Sequence, residues 1–271
     1  MRLAGRKQSQ AHIAEEEFRG GDGGHSGGKL FVVGIGPGPI EEMSPRARKA
    51  IEACDTILGY RTYIKLLGGL VEGKRVVPSG MGQEMARAKR AIQEALSGKQ
   101  VALVSSGDPG IYGMAGPVLE VLLTEGISLD LQIIPGIPAF SASAASLGAP
   151  LMNDFAVISL SDLLTPWEVI ERRLEAAAQG DFVVVLYNPR SKKRSQQIQK
   201  ARRILLKHRS PQTWVGIVRR AGREEEEVLM ADLASMPEEK IDMQTTVIIG
   251  NSTTFVHLGR MVTPRGYERS I

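Results

Sequence analysis

From Lys29 onward, short apolar runs alternate with longer stretches whose apolar residues recur at helical spacing. "KLFVVGIG", "DTILG", "KRVVPSG", "QVALVSS" and "SLDLQIIPG" read as strands. Between them, "SPRARKAIEACD" reads as a helix with Ser44 as N-cap and Pro45 at the first helical position. Its residues Ala47, Ala50, Ile51 and Cys54 share one face. A helical stretch near "RTYIKLLGGL" follows, then the amphipathic "GQEMARAKRAIQEALSGK", stopped at Gly98. "AGPVLEVLLTEG" and the small-residue run "IPAFSASAASLGA" complete this part. Strands alternating with helices predict a mostly parallel sheet.

After "LGAPLMND" (Leu147 to Asp154) the alternation restarts. "FAVISL" is a strand, "TPWEVIERRLEAAAQG" a helix with Thr165 as N-cap, and "DFVVVLYNP" a strand. A basic helix over "KKRSQQIQKARRILLKHR" leads to the strand "TWVGIVRRA". "EEEEVLMADLA" and "TTVIIGNS" read as the last strands, antiparallel because no long helix separates them. The expected organisation is α/β, with two α/β domains, residues 29–150 and 151–271, and a ligand site in the cleft between them. Residues 1–28 read as a flexible tail, because "RGGDGGHSGG" has little to bury and "AEEE" is a solvated charge run.

Composition narrows the chemistry. Cys54 is the only cysteine, which excludes an internal disulfide and a cysteine-based zinc or iron–sulfur site. No metal is expected. There is no apolar run of membrane-spanning length and no secretion-signal pattern at the N-terminus. A cytoplasmic enzyme without a membrane partner is therefore expected. The net charge of +4 suits an anionic ligand.

Three glycine-rich loops carry the functional signal. In "VVGIGPGPIEEMS", Gly34 and Gly36 fit a dinucleotide fingerprint, but Pro39 occupies the third glycine position. Pro37 and Pro39 have no N–H, which makes the loop a poor anion cradle. A tight strand-to-helix turn explains it equally well without a ligand. "SSGDPGIYGM" (Ser105 to Met114) is more informative. Gly107 permits unusual backbone, Pro109 holds Asp108 extended, and Gly110 and Gly113 allow close approach. Asp108 can accept from a ligand or close an Asx turn on its own backbone. "IIPGIPAFSASAA" repeats the construction, with small residues that admit a flat ligand or a neighbouring helix.

Four segments, "VGIGPG" (Val33 to Gly38), "SGDPGIYG" (Ser106 to Gly113), "IPGIPA" (Ile134 to Ala139) and "TTVIIG" (Thr245 to Gly250), together resemble the tetrapyrrole methylase family. The resemblance runs from Lys29 to about Pro264. Within the family, Ser159 to Arg194 is similar to precorrin-3B C17-methyltransferases. The resemblance implies S-adenosylmethionine-dependent methylation at C17 of precorrin-3B or cobalt-precorrin-3, with ring contraction, in cobalamin biosynthesis. It also implies a kinked two-domain fold, a homodimer, and an adenosyl ligand in the interdomain cleft. Its contacts, carried over by resemblance, are Pro37; Ser106, Gly107, Asp108 and Ile111; Pro138 and Ala139; Asn188; and Ala221. No catalytic base is assigned; His208 and His257 qualify by residue type alone.

The basic run "NPRSKKRSQQIQKARR" has two readings. Arg190, Lys192, Lys193 and Arg194 receive the carboxylates of a tetrapyrrole substrate, or they form a solvated helix face. Arg219 and Arg220 likewise face ligand or solvent. The rival functions are another precorrin methyltransferase and a ribosomal RNA 2′-O-methyltransferase. The RNA branch of the family lacks "GDPGIYG", and the chain has few aromatics for base stacking, so no nucleic-acid partner is expected. A dinucleotide oxidoreductase is disfavoured by the broken glycine pattern. A non-enzymatic binding module does not account for three ligand-type loops.

Overall fold

A computed structural model describes residues 27–191 and 194–267. Most of the expected tail, residues 1–26, lies outside the described residues. Gly28 is buried: a Cβ there would run into the carbonyls of Ala95 and Lys99, so this residue packs with the body.

The first sheet contains β1 (Lys29–Gly34), β2 (Thr56–Tyr60), β3 (Arg75–Ser79), β4 (Gln100–Ser105) and β5 (Asp130–Ile134). All pairings are parallel, in the order β3-β2-β4-β1-β5. The connections carry α1 (Pro45–Ala53), α2 (Arg61–Lys65), α3 (Glu84–Leu96) and α4 (Ala115–Glu125). Alternate residues of the central strands feed opposite faces, as the pleat requires. Leu30, Val32 and Leu103 pack under α3 and α4 with Ala88, Ile92 and Val118. Val33, Ala102 and Val104 pack on the other face with Ala47 and Ile51 of α1. Ser44 caps α1 as expected, its Oγ accepting the Ala47 N–H at 3.1 Å.

The second sheet has the order β10-β9-β11-β8-β7. Its strands are β7 (Phe155–Ser159), β8 (Val183–Tyr187), β9 (Trp214–Arg219), β10 (Glu227–Asp232) and β11 (Thr245–Ile249). Only β7 and β8, joined through α6 (Trp167–Gln179), run parallel. β8/β11, β11/β9 and β9/β10 are antiparallel, in agreement with the short connections that end the chain. α6 and α7 (Gln197–Leu205) cover one face through Ile170, Leu174, Ile198 and Leu205.

The other face is covered by α5 (Ala139–Leu147), although α5 precedes the expected boundary at residue 150. Its small residues Ala142 and Ala144 pack on this sheet, and Leu147 sits over Gly216. A Cβ on Gly216 would stand 2.3 Å from Leu147 Cδ1. The small-residue run thus serves helix-on-sheet packing. A third, small sheet, β12-β13-β6, ties the end of α5 to the C-terminal hairpin through β6 (Gly148–Ala149), β12 (Phe255–His257) and β13 (Arg260–Val262). A terminal strand was expected at His257, and none at Gly148–Ala149.

One cap differs from expectation. α6 opens at Trp167 with Pro166, not Thr165, at the N-cap, and no side chain caps it. The residue before a proline resists helical backbone, which moves the start one position on. The Pro166 carbonyl accepts the first helical N–H groups, from Val169 at 3.0 Å and Ile170 at 3.3 Å. Among the described residues, no helix is long and apolar enough to cross a membrane.

Candidate active site

The site begins at the C-terminal edge of the parallel sheet, where β1, β4 and β5 release the three glycine-rich loops. Ligands of open α/β sheets bind at this edge. The first two loops are stitched together. Gly107 N–H donates to Gly36 O at 2.7 Å, Gly36 N–H donates to Gly107 O at 3.2 Å, and Ile35 N–H donates to Ser105 O at 2.9 Å. The third loop closes against them with no space for side chains. A Cβ on Gly34 would stand 2.6 Å from Gly136 N, and one on Gly136 would stand 2.3 Å from Gly107 O. Gly107 itself has φ +65°, the left-handed region that favours glycine.

Asp108 fastens this assembly. One carboxylate oxygen accepts the Gly110 N–H at 2.8 Å, which is the Asx turn. The other accepts the Gly136 N–H of the third loop at 3.1 Å. Its side chain therefore acts as a strut between loops.

The second sheet supplies the opposite wall. Tyr187 ends β8, and Asn188 follows with φ +51°. Ala221 follows β9, and Met243 to Thr246 lead into β11. Several contacts cross between the halves. Tyr112, from the second glycine loop, donates its hydroxyl to Val157 O at 3.1 Å and accepts the Ser159 N–H at 3.2 Å. Its ring lies 5.5 Å from that of Tyr187, whose own hydroxyl accepts the Phe140 N–H at 2.8 Å. Arg223 Nε donates to Pro37 O at 2.9 Å. Burial pushes the Tyr187 phenol up to about 12 and raises that of Tyr112 as well, so both stay protonated at neutral pH.

Together these elements enclose a cleft of about 250 Å³. All nine residues expected to contact the adenosyl ligand lie on its wall: Pro37, Ser106, Gly107, Asp108, Ile111, Pro138, Ala139, Asn188 and Ala221. They come from five separate loops of both halves.

The basic run divides differently. Arg190 donates to Glu238 O at 2.7 Å, and Arg194 is buried, donating to Leu160 O at 3.1 Å and Asn188 O at 3.2 Å. Neither lines the cleft; Arg194 instead holds the Asn188 carbonyl in place. Lys192 and Lys193 lie outside the described residues. Of the other arginine pair, Arg220 faces the cleft, while Arg219 is engaged with Asp242 and Glu227, each at 2.8 Å. His208 is 2.6 Å from Glu175, and neither His208 nor His257 reaches the cleft.

Sequence reasoning missed Tyr60, Tyr63, Tyr187 and Arg223 as wall residues. Tyr187 stands next to the expected Asn188, and its position as the last strand residue was a usable signal. Arg223 precedes four consecutive glutamates, a context that reads as solvated surface.

The family model described as Tetrapyrrole (Corrin/Porphyrin) Methylases matches residues 29–237, which hold the first sheet and the second up to β10. The chain belongs to the tetrapyrrole methylase family. Among curated relatives, it is 48% identical over 238 residues to a probable cobalt-factor III C(17)-methyltransferase of Salmonella typhimurium, covering 88% of this chain and 99% of that protein. It is 52% identical over 246 residues to the cobalt-factor III methyltransferase of Priestia megaterium, covering 89% of this chain. The match spans 46% of that longer relative. Among solved structures, the methyltransferase CobJ superposes with a TM-score of 0.84 at 36% identity, covering 88% of this chain and all of that one. A tetrapyrrole methylase of two α/β domains is therefore the frame in which the cleft is read.

Proposed function

We propose that this tetrapyrrole methylase transfers a methyl group from S-adenosylmethionine to C17 of a precorrin-3-type macrocycle, with ring contraction, in cobalamin biosynthesis. The observation that carries the reading is the convergence of five loops from both halves on one cleft, with glycine and small residues where a ligand must come close. The relatives named as cobalt-factor III methyltransferases direct the choice of macrocycle and carbon.

The cleft fits an adenosyl ligand. Gly107 has no side chain and lies against Pro138 and Ala139, which leaves a cradle bounded by backbone. Ser106 to Ile111, Pro138, Ala139, Asn188, Ala221 and Pro37 would hold it. When bound, the methyl donor supplies an electrophilic methyl group on a sulfonium. The chain's own contribution is placement. The Asp108 strut and the Gly36–Gly107 bridge fix the loops before the ligand arrives, so little reorganisation remains for the reaction. Ile111, Pro138, Ala139 and Ala221 give the wall apolar patches that exclude water. Tyr112 and Tyr187 hold the halves in register and, being protonated, act as hydrogen-bonding groups and not as bases. The domain division, the homodimer and the cytoplasmic setting belong to the same reading; sedimentation of the purified chain tests the dimer.

The function is tested by incubating the protein with S-adenosylmethionine and either metal-free precorrin-3B or the cobalt macrocycle, with product masses recorded. One added methyl group, placed at C17 by NMR, is the expected result. Binding of S-adenosylhomocysteine with no methylation of either macrocycle would rule out the assigned acceptor. Methylation at another carbon would assign the chain to a different precorrin methyltransferase activity.

A further inference from the structure

Arg223 on the cleft wall and Arg87 in α3 form no salt bridge among the described residues. Arg223 is half-buried on the cleft wall; its Nε donates to Pro37 O at 2.9 Å, and its two terminal nitrogens have neither a hydrogen-bond partner nor a carboxylate. Arg87, in α3, is buried. Its Nε donates to Ser79 Oγ at 2.5 Å and its Nη2 to Gly80 O at 2.7 Å; no carboxylate bonds to it, and Glu84 is the acid whose charge acts on it. Both guanidinium charges act on the phenol of Tyr63, a wall residue. The neighbouring arginines are neutralised, Arg220 by Glu225 and Arg219 by Asp242 and Glu227. Asp108, the only carboxylate on the wall among the described residues, is taken up by the Gly110 and Gly136 amides.

An arginine cannot shed its proton to escape burial, so leaving one unpaired is costly unless an anion arrives. The bond from Nε to Pro37 O fixes the plane of the Arg223 guanidinium. It leaves the two terminal nitrogens as a fork that matches a carboxylate. We propose that Arg223 is the receptor for an acid side chain of the macrocycle, with Arg87 adding positive potential to the same wall. This rests on the methyl-transfer reading above. It places substrate carboxylates away from Arg190 and Arg194, which are engaged with backbone carbonyls. The methyl donor also carries a carboxylate, so the two sources have to be separated by experiment.

The test uses the full chain and the variants Arg223→Gln and Arg223→Lys, each checked by thermal melting. S-adenosylhomocysteine binding is measured by calorimetry. Binding of the cobalt macrocycle, as free acid and as methyl ester, is followed by its absorbance. Arg223→Gln is expected to weaken binding of the acid form roughly ten- to a hundredfold, the worth of charge-assisted hydrogen bonds. S-adenosylhomocysteine affinity should fall by less than macrocycle affinity, because Arg223 meets that part of the wall only through the Pro37 carbonyl. Wild type should prefer acid to ester, Arg223→Gln should lose that preference, and Arg223→Lys should keep part of it. Unchanged affinity for the acid form in a folded Arg223→Gln overturns the proposal. A loss confined to S-adenosylhomocysteine also overturns it and makes the donor's carboxylate the ligand. If Arg223→Gln does not fold, equal binding of acid and ester by wild type is the result that overturns it. Wild type that binds S-adenosylhomocysteine but neither macrocycle form refutes the assigned acceptor, an outcome seen without any variant.

Discussion

Replacing Gly34 by alanine should damage the site and the fold together. The added methyl would stand 2.6 Å from Gly136 N, 2.7 Å from Gly107 O and 2.8 Å from Pro109 Cδ. None of these is the end of a flexible side chain. To restore ordinary contact the three loops must part by roughly 1 Å. Overpacking of this kind costs about 1–3 kcal/mol. Parting the loops also stretches the two Gly36–Gly107 hydrogen bonds, at about 0.5–1.5 kcal/mol each. The sum is about 2–6 kcal/mol, and in a chain of this size each kcal/mol lowers Tm by roughly 2–4 °C. Gly116→Ala is the control. It lies in the first turn of α4 with nothing within 4 Å of the added methyl, and because Pro117 follows it the usual gain in helix propensity is offset, so stability should change little. Differential scanning calorimetry and S-adenosylhomocysteine titration on both variants give the answer. If Gly34→Ala melts with wild type and binds as wild type, the loops are not packed glycine on glycine and the account of the cradle fails.

Further outcomes follow from single contacts. Asp108→Ala strips two backbone N–H groups of their acceptor, so stability should fall by about 1–3 kcal/mol and S-adenosylhomocysteine affinity with it. Asp108→Asn, which keeps one accepting oxygen, should recover part of both in the same titrations. Tyr187→Phe leaves the Phe140 N–H without its partner and should cost about 1–2 kcal/mol in urea unfolding; an unchanged midpoint would show that the bond does not matter. Glu94 is buried, and its carboxyl is held below the usual carboxylate range by the hydrogen bond from Lys99, with Arg75 and Arg90 adding to the effect. A depressed folded pKa contributes stability above the unfolded value, roughly pH 4.3, and loses it as pH falls through the folded value. Glu94→Gln should therefore flatten the acid limb of the stability–pH curve, and a limb as steep as that of wild type would contradict this.

The alternation of apolar runs and helical periods was enough to predict both sheets, because the inner strands β1, β2, β4, β8, β9 and β11 are buried on both faces while the helices bury one. The antiparallel ending was readable from the short connections after β9. The loops of the first half were readable because glycine and proline mark backbone demands directly. Chain crossing was not readable. Nothing in "SASAASLG" says that α5 leaves the sheet it follows for the one it precedes, because small residues allow close packing without naming the partner. Nor could "GREEEE" indicate that its arginine points inward while Glu225 and Glu226 engage Arg220 and the Gly222 amide. Such an outcome depends on the strained turn after β9, where Arg220 takes φ +54°.

Backbone strain at the cleft connects these observations. Among the described residues, five that are not glycine have positive φ, and three of them, Tyr112, Asn188 and Arg220, line the cleft. Such backbone costs on the order of 1–3 kcal/mol per residue and persists only where surrounding contacts fix it. Each of the three is fixed. The Tyr112 hydroxyl is held between Val157 O and the Ser159 N–H. Asn188 Nδ2 donates to Ser159 Oγ at 3.0 Å, and its carbonyl accepts from Arg194. Arg220 N–H donates to Gln244 O at 2.9 Å, and its Nε donates to Gln244 Oε1 at 2.7 Å. Ser159, at the end of β7, thus receives a strained residue from each half of the cleft. The strain is local to the walls that must face one another, and its restraints run across the junction between the two sheets. A cleft built in this way has its two walls placed before any ligand binds, which is the condition for holding a methyl donor and an acceptor carbon in line.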